Sequence, residues 1–139
     1  MSAAEQWDYV LDASALLALL LEEPGEAAVR AVLDHATIHT VNVAEVIGKL
    51  MRDGVPREDA VAAVEELQVQ IVKEFGFREA AECGTLLAST RKLGLSLGDC
   101  VCLTVAARRG APAVTAERLW KKIEGRTVAG GELRIEVIR

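Results

Sequence analysis

Residues 9–14, Tyr-Val-Leu-Asp-Ala-Ser, form a short apolar run that ends on a carboxylate and leads straight into the apolar stretch 15–21. This pattern predicts a buried β-strand followed by a helix, with Asp12 at the junction. In an open parallel sheet, ligands bind outside the carboxyl ends of the strands. Asp12 is therefore predicted to lie where chemistry takes place, and an acid between two apolar elements is otherwise poorly placed for solvent.

Strands and helices alternate along the rest of the chain. Apolar periodicity predicts six further helices: one at 26–34, one that Asn42 caps, one that begins at Pro56, one at 77–93, one from Asp99 to Arg109 and one after Glu117. It predicts strands at 37–41, 71–72, 111–114 and 133–137. This alternation predicts an α/β fold, a three-layer α/β/α sandwich with a mainly parallel central sheet. We expect one domain over residues 1–139, with residues 1–7 as a loose N-terminal end.

Composition limits the function without deciding it. The chain has 139 residues, of which 51% are hydrophobic, enough to form a core of ordinary size. Its 16 basic and 21 acidic residues give a net charge of −5, so a nucleic acid would have to be bound by a local patch. Basic residues on predicted helix faces are candidate phosphate contacts, although most are interpreted as ordinary solvated side chains: Lys49, Arg52, Arg91, Lys92, Arg118, Lys121 and Lys122.

The cysteines and the apolar segments indicate a cytoplasmic protein. Cys83, Cys100 and Cys102 lack the spacing of a zinc site and are interpreted as buried free thiols. The apolar run 13–21 is far shorter than the roughly 20 residues that span a bilayer. Acidic residues stand where a signal peptide would carry positive charge, so we expect no export or membrane segment.

Four acids recur where a helix is predicted to begin: Asp12, Glu45, Asp99 and Glu117. Each has a structural explanation, because Asn42 and Glu45 resemble a capping box, Asp99 can cap a helix, and a first-turn acid favours the helix dipole. Parallel topology, however, would place all four on one edge of the sheet. Four clustered carboxylates repel one another and require a cation.

Oxygen ligands without accompanying His or Cys favour Mg²⁺ or Mn²⁺ over zinc. Ser14, Asn42 and Thr115 add neutral oxygens beside the acids, suitable for orienting them or a water. An acidic pocket that holds one or two divalent ions is suited to phosphodiester hydrolysis, which then needs no protein nucleophile. His35 and His39 are interpreted as surface or packing residues away from this edge.

With these motifs located, the sequence resembles PIN-domain ribonucleases, and its size is similar to that of VapC-type toxins of toxin–antitoxin pairs. The resemblance extends from Val10 to about Val137. It is carried by four short motifs, each containing one acid: Val10-Leu11-Asp12-Ala13-Ser14, Asn42-Val43-Ala44-Glu45, Leu97-Gly98-Asp99-Cys100 and Val114-Thr115-Ala116-Glu117-Arg118-Leu119-Trp120.

The resemblance implies an endoribonuclease dependent on Mg²⁺ or Mn²⁺, with the metal bound by Asp12, Glu45, Asp99 and Glu117 and with Ser14 or Thr115 assisting. It also implies a homodimer that a cognate antitoxin inhibits. Glu117 departs from the pattern, because the family usually has Asp at this position. Glu117 still supplies a carboxylate ligand, but the geometry of its metal contact differs from that of an Asp.

Three alternatives remain open at this stage. The chain could be a PIN-like binding domain without turnover, which an assay of metal-dependent RNA cleavage would distinguish. It could instead be an RNA-processing PIN nuclease without an antitoxin. A phosphotransfer domain is disfavoured, because residues 12–14 lack the second aspartate of a D-x-D nucleophile motif.

Overall fold

A five-stranded parallel sheet forms the centre of residues 8–139, the part of the chain that the computed structural model describes. The strands are β1 (Tyr9–Leu11), β2 (Ala36–His39), β3 (Gln70–Val72), β4 (Ala113–Thr115), β5 (Thr127–Val128), β6 (Gly131–Glu132) and β7 (Ile135–Val137). The sheet has the order β3-β2-β1-β4-β7, so the strand that precedes Asp12 is central. A separate antiparallel pair joins β5 and β6.

Helices cover both faces of this sheet. In the described part of the chain they are α1 (Ala13–Leu20), α2 (Glu26–Val32), α3 (Thr40–Arg52), α4 (Arg57–Glu66), α5 (Phe77–Ser89) and α6 (Leu97–Arg109). Successive residues of a strand face opposite sides. Accordingly, Leu11 packs in an apolar cluster with α1 to α4, whereas Val10 packs in a second cluster with α5 and α6. The predicted α/β/α sandwich is confirmed.

Helix α6 is the most deeply buried helix of the described residues, with Cys100 to Ala107 all inaccessible or nearly so. A helix that is apolar all round is stable only inside the core. Because α6 is held in the core beside helix α3, its first turn, which carries Asp99, has a fixed position next to α3. Cys83, Cys100 and Cys102 are buried free thiols, as predicted.

The boundary between β2 and α3 differs from the prediction. The alternation at 37–41 suggested a strand that continues to Val41, with Asn42 as the cap of the next helix. Instead, β2 ends at His39, whose extended backbone and ring Nδ1 cap the helix by accepting a hydrogen bond from Val41 N at 3.1 Å. Asn42 therefore lies inside the first turn of α3, and the predicted capping box with Glu45 is wrong.

The predicted start of α6 and the predicted helix at 77–93 also need correction. Ser96, not Asp99, is the N-cap of α6, and Asp99 lies three residues further on, inside the helix. Helix α5 ends at Ser89, and a single 3₁₀ turn follows at Arg91–Leu93. Gly94 ends that turn with φ of 71°, which favours glycine.

The C-terminal region is divided more finely than predicted. A 3₁₀ helix, Arg118–Ile123, follows Glu117 and buries Trp120 and Ile123 as expected. The predicted strand 133–137 is shortened to β7, because Leu133 N–H donates to Arg126 O instead of joining the central sheet. Residues 1–7, predicted as a loose end, lie outside the described residues. Among residues 8–139, no helix combines the length and apolar character needed to cross a membrane.

Candidate functional site

A surface cleft of about 230 Å³ lies where the strands of the sheet give way to helices. We call it the acidic cleft; it is lined by Asp12, Ala13, Ser14, Leu17, Glu45, Lys49, Arg52, Asp99 and Glu117. Each of the four acids comes from a different part of the chain, and the parallel sheet brings them to one edge. The structure thus brings the four predicted acids together, while their chemical roles remain predictions.

Asp12 is the most buried of the four acids, with only 2% of its surface exposed. Its Oδ1 accepts hydrogen bonds from Ala15 N at 2.8 Å and from Ser14 Oγ at 2.7 Å, while its Oδ2 accepts one from Thr115 Oγ1 at 2.6 Å. The Ser14 hydroxyl in turn accepts from Ala116 N. These bonds fix the carboxylate between β1 and β4 before any ligand binds.

The charge of Asp12 is costly at this depth. Burial raises the pKa of Asp12 from its ordinary 3.8 to about 7; the hydrogen bonds from Thr115, Ala15 and Ser14 oppose this rise, and the nearby charge of Asp99 adds to it. A raised carboxyl pKa in a cleft is typical of a functional site. A cation in the acidic cleft would favour the ionised carboxylate.

We expect metal-free protein to lose stability as the pH rises from about 4 to about 7. Because the folded-state pKa of Asp12 lies above the unfolded value, its contribution to stability is complete below about pH 4 and lost as the pH passes about 7. The difference corresponds to roughly 4 kcal/mol. Asp12→Asn should flatten this part of the curve of unfolding free energy against pH, measured by urea denaturation in chelator. An unchanged slope in the variant would contradict the assignment.

Glu45 is held by Asn42, which belongs to the same sequence motif, and by Gly98, which does not. Its Oε1 accepts a hydrogen bond from Asn42 Nδ2 at 2.8 Å, and the same amide donates to Gly98 O at 3.0 Å. The carboxylate also packs directly on Gly98, where any Cβ would overlap it. Burial raises the pKa of Glu45, and the charge of Asp99 adds to the rise. Glu45 is therefore positioned by α6 as well as by its own helix.

Asp99 completes a capping box at the start of α6. Its Oδ2 accepts a hydrogen bond from Ser96 N at 2.8 Å, and its own N–H donates to Ser96 Oγ at 3.1 Å. The side chain is only half-buried. It therefore caps the helix and still contributes negative charge to the acidic cleft, as its effect on the pKa of Asp12 and Glu45 indicates.

The buried thiol of Cys102 lies within electrostatic reach of three of the acids. Burial raises its pKa well above the ordinary value, and the charges of Asp12, Asp99 and Glu45 all add to the rise. The same shift keeps the thiol protonated, so Cys102 has the properties of a packing residue and not of a nucleophile.

Glu117 is the exposed member of the set. It precedes the 3₁₀ helix Arg118–Ile123, and its backbone N–H donates to Thr115 Oγ1 at 3.0 Å. Thr115 thereby connects the segment of Glu117 to the carboxylate of Asp12. The side chain lines the mouth of the acidic cleft, whereas Asp12 forms its floor.

The donor atoms of the acidic cleft suit a hard divalent cation, although they are not already gathered around one point. Its lining contains carboxylate and hydroxyl oxygens and neither His nor Cys. Within residues 8–139, no three His, Cys, Asp or Glu side chains are arranged as a ready-made ion site. Binding of an ion would therefore require the carboxylates to come closer together.

Several residues of this region were missed or misjudged from the sequence. His39 is buried and does not line the acidic cleft, in keeping with its prediction as a surface or packing residue, but the sequence gives no sign that it caps the helix that carries Glu45. Burial lowers its pKa, so the neutral ring accepts the hydrogen bond. Gly98 is the one residue whose role the sequence could have indicated. It is a glycine in the first turn of a helix, where alanine would be the better helix former, so a close contact at this position could be suspected. Lys49 and Arg52 line the acidic cleft, and Lys49 pairs with Asp53 at 3.0 Å.

Comparison with known proteins gives one family match and several matches to solved structures. The PIN domain family profile matches residues 9–126. No protein of curated function gives a significant match. Among solved structures, a chain of the DNA-bound VapBC from Salmonella typhimurium superposes with a TM-score of 0.71 at 17% identity, covering 96% of this chain and 100% of that one.

Two further solved structures share the fold at low sequence identity. A chain of VapBC2 from Rickettsia felis, bound to a DNA fragment from its promoter, has a TM-score of 0.68 and 14% identity over 94% of this chain and 98% of that one. A chain of VapBC-1 from nontypeable Haemophilus influenzae has a TM-score of 0.64 and 16% identity over 93% and 96%. Since the profile spans most of the chain and the fold recurs in these structures, the chain belongs to the PIN domain family.

Proposed function

We propose that this chain is an endoribonuclease that uses Mg²⁺ or Mn²⁺ to hydrolyse RNA phosphodiester bonds. The observation that supports it most directly is the acidic cleft, where four acids from separate parts of the chain meet at one edge of a PIN fold. An acidic site of oxygen donors alone is suited to phosphodiester hydrolysis through divalent ions.

In this proposal Asp12, Glu45 and Asp99 hold the metal. When bound, the ion would lower the pKa of a water and offset negative charge on the phosphate. Ser14 and Thr115 orient Asp12 through hydrogen bonds to both of its carboxylate oxygens, and Asn42 orients Glu45. Such supporting contacts typically change metal affinity or activity by about 10–100-fold when removed.

Arg52 is suited to contact the substrate. Its side chain is exposed, lines the acidic cleft and forms no ion pair within residues 8–139, unlike its neighbour Lys49. A guanidinium beside a metal site can bind a phosphate oxygen through two parallel hydrogen bonds. Arg52 would therefore hold the scissile phosphate at the mouth of the acidic cleft.

The direct test is RNA cleavage by protein purified free of any partner and stripped with chelator. We expect cleavage that depends on added Mg²⁺ or Mn²⁺, together with a melting temperature that rises as either ion is added. A ligand that binds only the folded state contributes about 2.7 kcal/mol at a hundred times its dissociation constant. RNA that stays intact at every metal concentration would reject the proposed activity.

Glu117 is expected to contribute less than the other acids. It is exposed, and its side chain is one methylene longer than that of Asp, whereas Mg²⁺ requires near-ideal geometry at about 2.0–2.1 Å. We predict that Glu117 acts through a bound water, so Glu117→Ala should lose less cleavage activity than Asp12→Ala. Glu117→Asp should retain or increase Mg²⁺-dependent cleavage. The ligand role is wrong if Glu117→Gln leaves the metal dependence of cleavage unchanged.

We further propose that the chain is the toxin of a toxin–antitoxin pair, acting as a cytoplasmic homodimer. The support is the fold, which it shares with chains of VapBC complexes that are toxin–antitoxin assemblies. A basic side chain of the antitoxin would be attracted to the acidic cleft. Coexpression with the product of an adjacent small gene should yield a stable and inactive complex. Full activity in that complex would contradict the pairing.

A non-catalytic binding domain is the second candidate. It is favoured by the lack, within the described residues, of a ready-made metal group and by the exposed position of Glu117. This candidate predicts that RNA is bound without cleavage in either metal. The cleavage assay therefore separates the two functions in one experiment.

A further inference from the structure

A second surface cleft, of about 580 Å³, has the opposite charge to the first. We call it the basic cleft; its lining residues are Ala88, Ser89, Arg91, Lys92, Leu93, Lys122 and Arg126. The four cations come from the 3₁₀ turn after α5 and from the segment after β4, and all four are exposed. No carboxylate lines this cleft.

The cations of the basic cleft are not neutralised by the protein. None of the four takes part in an ion pair within the described residues 8–139, although other exposed Lys and Arg side chains among those residues do. Lys121 pairs with Glu124 at 3.2 Å. Four unopposed positive charges in a chain with a net charge of −5 form a local field that attracts polyanions.

Both segments that carry these cations connect to the acidic cleft. The 3₁₀ turn Arg91–Leu93 leads into α6, whose first turn contains Asp99. Lys122 belongs to the 3₁₀ helix that follows Glu117. At a rise of about 2.0 Å per residue, Lys122 lies about 10 Å along that helix from Glu117. Each segment that carries these cations is therefore continuous in sequence with an element that carries an acid of the acidic cleft.

From this arrangement we propose that the basic cleft binds the phosphate backbone of single-stranded RNA beside the bond that is cleaved, an inference that rests on the proposed nuclease function. Exposed Lys and Arg neutralise phosphates and release counterions, which provides affinity without sequence preference. The lining contains no aromatic side chain on which a base could stack. The basic cleft therefore positions RNA through its backbone, and base selection lies elsewhere.

Several cations of the basic cleft are already candidates from the sequence. Arg91, Lys92 and Lys122 are among the predicted phosphate contacts, most of which are interpreted from the sequence as ordinary solvated side chains, and Arg126 is not among them. The tertiary structure brings them to one concave surface, whereas Lys121 on the same 3₁₀ helix is held by Glu124 and by Ile135 O. Phosphate binding is thus assigned to the unpaired members of the set.

Binding can be measured apart from cleavage in an Asp99→Asn background. We would titrate a fluorescent single-stranded RNA and compare Arg91→Gln/Lys122→Gln with Arg57→Gln/Arg109→Gln. The second pair removes the same charge from exposed residues outside both clefts.

We expect Arg91→Gln/Lys122→Gln to weaken RNA binding about tenfold or more at 0.1 M salt. It should also reduce the slope of log K against log salt by about 1.4, since each single-strand phosphate contact contributes about 0.7. The control pair should bind within about twofold of the background protein.

The outcomes separate this inference from the proposed function. If the parent protein cleaves RNA but the two pairs bind RNA equally, the basic cleft is not an RNA site and the nuclease proposal stands. If the first pair keeps RNA affinity but loses a stable complex with the antitoxin, the basic cleft is a protein-binding surface and the inference is overturned. If the parent never cleaves RNA but only the first pair loses RNA affinity, the nuclease function fails and RNA binding at this cleft is retained.

Discussion

Asp99→Asn is expected to reduce metal-dependent RNA cleavage about a thousandfold or more while leaving the protein folded. The amide oxygen can still accept the hydrogen bond from Ser96 N that closes the capping box, so the start of α6 should persist. What disappears is a negative charge in the acidic cleft. Removing a residue that supports a metal ligand typically lowers metal affinity or activity by about 10–100-fold, so removing the ligand itself should cost more. Removing a group that stabilises charge at the reacting atoms can lower the rate by about a thousandfold.

The matched control for this prediction is Ser96→Ala. It removes the other half of the capping box, since Ser96 Oγ accepts from Asp99 N, and it leaves every carboxylate in place. We expect a loss of about 1 kcal/mol in the free energy of unfolding, with cleavage per folded molecule close to that of the parent. Circular dichroism and single-turnover cleavage would be measured on both variants. Parent-like cleavage by Asp99→Asn would remove Asp99 from the site.

Gly98→Ala is expected to lower cleavage about a hundredfold through a single added methyl group. A Cβ at this position would overlap the Glu45 carboxylate, which must then move out of its place beside α6. The displaced group is the end of a flexible side chain, so the fold should be stable to within about 1 kcal/mol. Misplacing a reacting or ligating group by about 1 Å can cost about a hundredfold in rate.

Gly84→Ala provides the comparison for Gly98→Ala. Gly84 lies in the middle of α5, and a Cβ there would meet no neighbouring atom within 4 Å. Replacing a glycine in a helix interior by alanine should stabilise the protein by about 0.5–1 kcal/mol and leave cleavage unchanged. If both variants cleave RNA at the parent rate, the contact between Gly98 and Glu45 has no role in the chemistry.

The order of strands and helices was largely predictable from local pattern. The short apolar runs before Asp12 and Thr115 indicated buried strands, and the amphipathic spacing after residue 42 indicated a helix. The errors lay at element ends. His39 caps α3 through its ring, and Ser96 takes the capping position predicted for Asp99. In each case two polar residues three positions apart can cap the helix, and only the backbone conformation decides which one does.

By itself, the sequence determined which acids lie near the start of a helix, because this depends on residues that are neighbours in the chain. Only the tertiary structure decided how those acids are held. The packing of Glu45 on Gly98, the hydrogen bond between Asp12 and Thr115 and the meeting of four cations in the basic cleft all join segments that are distant in the chain. Such contacts are set by the burial of α6 against the sheet and α3, which no local periodicity encodes.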